Sequence, residues 1–286
     1  MKKIGFIDYY LDEWHANKYP EWIQSESGGE MQVAYAYGVK DAENGLSNAE
    51  WCRRNNVKLM NTIEEVVNES DYLIVLSPDH PEQHEALAQL PLQSGKPTYM
   101  DKTFAPDRKA AIRLFELAAQ HGTPLYSSSA LRFAAEYVNV ERSGMKVISS
   151  WGPGAFENYS IHQIEPIVSM LGPDAKRVMY IGTDTTPALL IEFTDGRQAI
   201  IHHLGEDCPF TMAVNYQSGS CKILKPESDF FKLFIQDLVA FFSTGHINVP
   251  STQTISIITI IEYGLKAAAC PYQWIELPER LVKVFN

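Results

Sequence analysis

The stretch from Asp71 to Thr103 constrains the fold of this chain more than any other. An apolar run, Asp71-Tyr72-Leu73-Ile74-Val75-Leu76, meets a turn signal at Ser77-Pro78-Asp79-His80. The pattern then predicts a helix from His84 to Leu90 that Pro91 stops, and a break at Gly95-Lys96-Pro97. A short strand, Thr98-Tyr99-Met100, follows and ends on Asp101-Lys102. Strand, turn, helix, turn and strand make one βαβ unit. In open α/β sheets the ligand crevice lies beyond the carboxyl ends of the strands. Ser77-Pro78-Asp79 and Asp101-Lys102 are both expected at such ends.

The same rhythm extends on either side. Lys3 to Asp8 reads as a buried first strand and Met31 to Tyr37 as a second, with a turn at Gly28-Gly29 between them. Ser47-Asn48-Ala49-Glu50 fits a capping box opening a helix through Arg54, and Thr62 caps a helix reaching Val67. Val57 to Met60 is a short strand, Asp107 to Ala119 a helix, and Leu125 to Ser128 a strand. Strands alternating with helices to about residue 127 imply a parallel, doubly wound sheet.

Beyond residue 145 the rhythm changes. Lys146 to Ser150 is extended and Ile161 to Leu171 helical. Strand-like runs then follow one another at Arg177–Ile181, Ala188–Phe193, Gln198–Leu204, Met212–Tyr216 and Cys221–Leu224. Thr194-Asp195-Gly196-Arg197 is a hairpin turn signal between two of them. Succession without intervening helices predicts a mostly antiparallel sheet. Phe230–Phe242 and Ser256–Ala269 close the chain as apolar-striped helices. The fold class expected is therefore α/β: an N-terminal Rossmann-like doubly wound parallel sheet over residues 1–127, and a C-terminal α+β domain with a large, mostly antiparallel open sheet over 128–286.

Composition excludes some partners. The formal net charge of −11 leaves no basic footprint for nucleic acid. No segment approaches the roughly 18 uninterrupted apolar residues of a membrane span. The apolar run near the N-terminus is too short for a signal peptide. Cys52, Cys208, Cys221 and Cys270 lack metal-ligand spacing and read as reduced thiols, so a cytoplasmic protein is expected. His202 and His203 cannot easily ligate one metal together, because adjacent strand residues point to opposite faces, and the metal reading left open is a site from His162, Glu165 and one of the two.

A dinucleotide-binding unit should follow its first strand with Gly-x-Gly-x-x-Gly, whose missing side chains admit a pyrophosphate. This chain has Asp8-Tyr9-Tyr10-Leu11-Asp12-Glu13-Trp14-His15 there, in a loop that reads as insertion-like as far as Trp22. An acidic residue usually ends the second strand to bind the adenosine ribose. Here Tyr37-Gly38 stands in its place, with Asp41 further on.

Taken together, Leu76-Ser77-Pro78-Asp79, His84, Gly95-Lys96-Pro97, Asp101-Lys102 and Arg132-Phe133 resemble the glucose–fructose oxidoreductase/inositol dehydrogenase family, Gfo/Idh/MocA. That family pairs a Rossmann domain with an α/β domain built around a large open sheet. Its Glu-Lys-Pro hallmark reads Asp101-Lys102-Thr103 here, and His84 precedes Lys102 by the family spacing. Its second motif, an Asp four residues before a His, reads Asn158-Tyr159-Ser160-Ile161-His162, with Glu165 one turn later. The resemblance spans nearly the whole chain, including the ending from Thr252 to Leu277.

The resemblance implies an oxidoreductase using NAD or NADP on a sugar, polyol or related small molecule. Lys102, His162 and Asn158 are the implied catalytic residues. Asp8, Tyr9, Tyr37, Ser77, Pro78, Asp79, His84, Asp101 and Lys102 are the implied cofactor-binding residues. A homodimer or homotetramer is implied as well, through the open face of the second sheet. Oxidising a carbinol needs a base within reach of the O–H, which suits histidine, and a cation to stabilise the alkoxide, which suits lysine. Asn158 can hydrogen-bond a hydroxyl but supplies no carboxylate.

The residues also admit structural readings. Lys102 can be a solvated strand-end lysine, His162 a helix-start histidine satisfied by backbone, and Arg132-Phe133 a structural corner. The alternative function is a family member that has lost dinucleotide binding and acts as a small-molecule-binding or regulatory protein. The loop from Asp8 to His15 discriminates: the crevice is open if the loop folds away, and closed if Tyr9, Tyr10 or Trp14 fills it.

Overall fold

The computed structural model describes residues 1–279. In chain order the elements are β1 (Lys2–Asp8), α1 (Trp14–Glu26), β2 (Met31–Gly38), α2 (Asn48–Arg54), β3 (Lys58–Leu59), α3 (Ile63–Glu69), β4 (Tyr72–Val75), α4 (His84–Gln93), β5 (Thr98–Met100), α5 (Arg108–Gln120) and β6 (Leu125–Tyr126). After these come α6 (Ala135–Val138), β7 (Met145–Gly152), α7 (Phe156–Leu171), β8 (Ala175–Tyr180), β9 (Ala188–Phe193), β10 (Gln198–His203), β11 (Thr211–Tyr216), β12 (Cys221–Leu224), α8 (Phe230–Thr244), α9 (Ser251–Ala268) and β13 (Ile275–Glu276). Two compact units result. The first comprises Met1–Ser128 with Lys232–Ser251, and the second comprises Ser129–Phe231 with residues 252–279.

The first unit holds a six-stranded sheet in the order β3-β2-β1-β4-β5-β6, with every strand pair parallel. A parallel sheet is covered on both faces, so its strands bury consecutive residues rather than alternate ones. β1 does so from Ile4 to Asp8, and β4 from Leu73 to Val75. The order reverses between β1 and β4, which is the switch point where doubly wound sheets place their ligands. Helix α8 lies in this unit although it follows the second sheet in sequence. Its Phe234 sits against Tyr99 and Tyr19, its Phe241 against Tyr126, and its Phe242 stacks on Tyr72 at 4.9 Å.

The second unit holds a seven-stranded sheet in the order β12-β11-β7-β10-β9-β8-β13. All pairs are antiparallel except β10 with β7. Burial alternates along β10, as it must where one face is covered. Helices α7 and α9 supply that cover. Ile161, Ile164, Ile167 and Val168 join Ile257, Ile260 and Ile261 in one core with Ile191, Ile201 and Val214 of the sheet. Both expected sheets are present.

Several local expectations hold. Ser47 forms the full capping box with Glu50, and Thr62 caps α3 through its side chain. Asp107, expected as the first residue of a helix, is instead the side-chain cap of α5. Gly196 takes φ +82° in the hairpin turn, where only glycine is comfortable. Other boundaries need correction. Pro91 does not stop α4, which runs on to Gln93 before Ser94 bonds back to the Pro91 carbonyl. Near the end of a helix the lost N–H removes a single bond, so the ring is tolerated. Helix α7 starts at Phe156 rather than Ile161, and α9 at Ser251 rather than Ser256. The region between Trp14 and Trp22, expected as loop, lies within the 13-residue helix α1.

Among the described residues, no helix is long and apolar enough to cross a membrane. The Cys52 thiol is buried, and burial pushes its pKa up to about 11.

Candidate functional site

At the carboxyl edge of the first sheet, β1, β4 and β5 end beside one another. Asp8 closes β1, Ser77 follows β4, and Asp101-Lys102 follow β5. Backbone pairing continues past the strands, with the Leu76 N–H donating to the Ile7 carbonyl and the Asp101 N–H to Val75. Ser77 adopts φ +82°, a left-handed conformation, and turns the chain so that the His80 N–H donates to the Ser77 carbonyl at 3.1 Å. Pro78 and Asp79 form this turn. Asp79 is exposed, and its Oδ1 lies 3.9 Å from the Lys102 Nζ, whose side chain is only 11% exposed.

Beside Lys102 lies a buried polar cluster. Tyr99 Oη is 3.1 Å from Asp101 Oδ1 and 2.9 Å from the Ser128 carbonyl. Asp101 Oδ2 lies 3.2 Å from His15 Nδ1, and the same nitrogen lies 3.2 Å from Glu13 Oε2. Glu13 is the N-cap of α1: its carboxylate accepts from the backbone N–H groups of His15 and Ala16. Asp8 Oδ1 accepts from the Tyr9 N–H at 2.6 Å, while its Oδ2 is buried without a hydrogen-bond partner.

Electrostatics shift Asp8 and His15 in the same direction. Burial, then the Glu13 and Asp101 carboxylates, push the Asp8 pKa well above the usual carboxylate range, against the pull of the Tyr9 and Tyr10 backbone N–H groups. Burial opposes the His15 imidazolium, but Asp101 and Glu13 together outweigh it, and the His15 pKa is raised.

Asp8 carries a pH prediction. Above about pH 4 the unfolded carboxyl is ionised while the folded one keeps its proton. The folded state then binds more protons, so this group's contribution to stability falls as pH rises through its folded pKa. Asp8→Asn removes the titration and keeps the acceptor for Tyr9. It is expected to be more stable than wild type by about 1–3 kcal/mol at about pH 8, with the gap closing toward about pH 4, as read by urea unfolding. A gap independent of pH would refute the buried proton.

The loop from Asp8 to Glu13 is fastened over the end of β2. The Val39 and Lys40 N–H groups donate to the Asp8 and Tyr9 carbonyls at 3.1 and 3.0 Å. The Leu11 N–H donates to Asn48 Oδ1, and the Leu46 N–H to Asp12 Oδ2 at 2.7 Å. Asn48 also fills the space beside Gly38, where a Cβ would lie 2.6 Å from its amide. The Tyr9 and Tyr10 rings meet each other at 6.0 Å and His80 at 5.0 and 6.0 Å. Residues following β1 thus touch a residue following β4 across the switch point. Lys40 lies over the outer part of this group, 4.9 Å from the Tyr9 ring. Trp14 instead points outward against Trp22. Tyr37 is half-buried near the end of β2.

His84 lies behind this edge, against the loops that follow β4 and β5. It is fully buried, with Nδ1 2.9 Å from the Phe104 carbonyl and Nε2 2.6 Å from the Leu76 carbonyl. Lys96 is also structural: its Nζ donates to the Val67 and Ser70 carbonyls at the C-terminal end of α3.

In the second unit, His162 stands on α7, with Nδ1 2.8 Å from Ser129 Oγ. The Tyr159 and Phe210 rings lie 5.4 and 5.9 Å from it. Asn158 is exposed in the first turn of the same helix, one turn before His162. Arg132 is buried, pairing with Glu165 at 3.0 Å and with Gln253. His203 is buried and donates to backbone through Nδ1, while His202 lies on the other face of β10.

The structure therefore gathers Asp8, Ser77, Asp79, Asp101 and Lys102 at one sheet edge and sets Tyr9 beside them. It places His162 and Asn158 together in the second unit. Sequence reasoning missed Glu13, His15 and Ser129. Apolar Ala16, Tyr19 and Ile23 at helical spacing were the available signal for the first two. Ser129 carried none.

No family model matches the chain, and no curated protein sequence matches it. Solved structures do match it. Scyllo-inositol dehydrogenase from Lactobacillus casei, with bound NAD(H) and scyllo-inositol, has a TM-score of 0.75 at 14% identity, covering 96% of this chain and 98% of that one. Myo-inositol 2-dehydrogenase from Lactobacillus plantarum has a TM-score of 0.77 at 12% identity, covering 97% and 99%. A protein of gentamicin A biosynthesis in complex with NAD has a TM-score of 0.76 at 14% identity, covering 97% of each chain. At such identities the likeness is one of fold.

Proposed function

We propose that this chain is a divergent member of the Gfo/Idh/MocA family that binds a sugar, polyol or related small molecule through Lys102 and His162. The observation that carries the reading is Lys102 itself. It is a nearly buried cation at the carboxyl end of a central parallel strand, beside Asp101, in a fold shared along nearly its whole length with inositol dehydrogenases. A desolvated ammonium is suited to hold a ligand hydroxyl or its developing negative charge. His162, oriented by Ser129, is suited to accept a hydroxyl proton. Asn158 can donate to a further hydroxyl.

A second reading makes the protein an oxidoreductase on the same ligand class, with His162 as base, Lys102 as electrostatic partner, and NAD or NADP as hydride acceptor. The NAD complexes among the fold neighbours favour it. It requires that the strand-end crevice admit a dinucleotide.

A thermal-shift and calorimetric screen over inositols, sugars, amino sugars and sugar acids tests the ligand class. At least one class should stabilise the wild type, and Lys102→Ala and His162→Ala should each weaken its binding by about tenfold or more. Binding that neither substitution weakens, or no binding by any of these classes, would overturn the assignment.

A further inference from the structure

The residues at the strand ends do not fit the dinucleotide that the fold implies. A pyrophosphate in a doubly wound sheet lies at the N-terminus of the first helix, takes the helix N–H groups, and needs glycines for close approach. Here α1 begins with its first N–H groups already bonded to the Glu13 carboxylate. The glycine positions hold Asp8, Tyr10 and Glu13. The Asp8 side chain is buried, and Tyr10 meets His80 across the switch point. Asp101 closes the far side through His15.

We infer that the chain fills its own dinucleotide site, with the Glu13 carboxylate where the pyrophosphate would lie and the Tyr9, Tyr10 and His80 rings across the β1–β4 switch point, so that neither NAD nor NADP binds there. Charge supports the geometry. The carboxylates of Glu13 and Asp101 stand against His15, and a third, Asp79, faces Lys102 at 3.9 Å, so a dianion here would meet more carboxylates than cations. The carboxylates repel one at short range in a poorly solvated place. The loop is also not free to swing away. Its backbone is bonded to residues 39 and 40, and its side chains to Leu46 and Asn17. A protein built this way handles its small ligand without a diffusible nicotinamide.

The test is calorimetric titration of the full-length protein with NADH and NADPH, paired with saturation-transfer NMR. No heat and no transfer at about 1 mM of either is expected, roughly a thousandfold weaker than a micromolar cofactor site. A micromolar Kd for either would overturn the inference. A second arm uses Glu13→Ser, which keeps a good helix cap while removing the carboxylate. Inorganic pyrophosphate should bind the variant at least about tenfold more tightly than wild type. Equal affinity in the two would remove Glu13 as the occupant. NADH binding would sink this inference and leave the ligand-class reading in place, whereas an empty sugar and polyol screen would do the reverse.

Discussion

Arg132→Ala is expected to lower the stability of the second unit by about 3–5 kcal/mol, the usual cost of removing one partner from a buried ion pair. Arg132 and Glu165 are both nearly buried, and their 3.0 Å contact joins the turn Ala130–Phe133 to α7. Gln253 of α9 takes the other guanidinium nitrogen, so three segments meet at one side chain. The melting temperature should fall by about 10 °C. The turn that Arg132 anchors begins at Ser129, which orients His162, and Glu165 stands one turn beyond His162 on the same helix. The substitution should therefore weaken ligand binding at His162 in addition to its cost in stability. Arg132→Lys, which keeps the charge without the planar fork, should recover only part of the loss. A melting temperature within about 2 °C of wild type for Arg132→Ala would show that the pair does not hold the corner.

Much of the fold was legible because its signals are local. Buried parallel strands write themselves as uninterrupted apolar runs, as at Leu73–Leu76, and helix starts as capping residues at Ser47 and Thr62. Helix α1 escaped because its cap is a glutamate and Pro20 interrupts its pattern. Helix α7 escaped at its start because Ala155 offers no capping side chain. The parallel pairing of β10 with β7, inside a sheet that otherwise reads as antiparallel, depends on contacts some fifty residues apart in sequence and has no local mark. The place of α8 in the first unit is likewise a matter of which aromatic surface it finds, here Tyr72, Tyr99 and Tyr126.

The candidate site divides along the same line. Asp101 and Lys102 could be placed because a strand end is a local feature. What surrounds them could not. His15 reaches Asp101 across 86 positions of sequence, and Ser129 reaches His162 across 33. The missing glycines announced a departure at the first loop, but only the bonded geometry of Glu13, Tyr9 and Tyr10 shows what replaces them. Of the residues matched by resemblance, Arg132, Lys96 and His84 have structural partners that account for them: a buried ion pair, a helix end, and two backbone carbonyls.

His84 yields the second large effect. Its ring sits between the Leu76 carbonyl, where β4 ends, and the Phe104 carbonyl, just beyond Lys102. It thereby pins the two loops that carry Ser77-Pro78-Asp79 and Asp101-Lys102, which is a physical reason for a histidine at this distance from Lys102. His84→Ala removes a buried ring that, when neutral, donates to one of the two carbonyls, and it leaves a void, so a loss of about 2–4 kcal/mol is expected, read by urea unfolding. The pH dependence of that loss identifies the ring's state. Burial lowers the His84 pKa, although both carbonyls favour the protonated ring. Below about pH 6.5 the unfolded histidine takes up a proton that the folded one refuses. Wild-type stability from this group then falls toward acid, and the alanine variant lacks that dependence. The gap between the two proteins should narrow from about pH 8 to about pH 5. A gap that widens instead would mean that the folded ring holds both protons and donates to both carbonyls, making His84 a buried cation fixed directly behind the Lys102 loop.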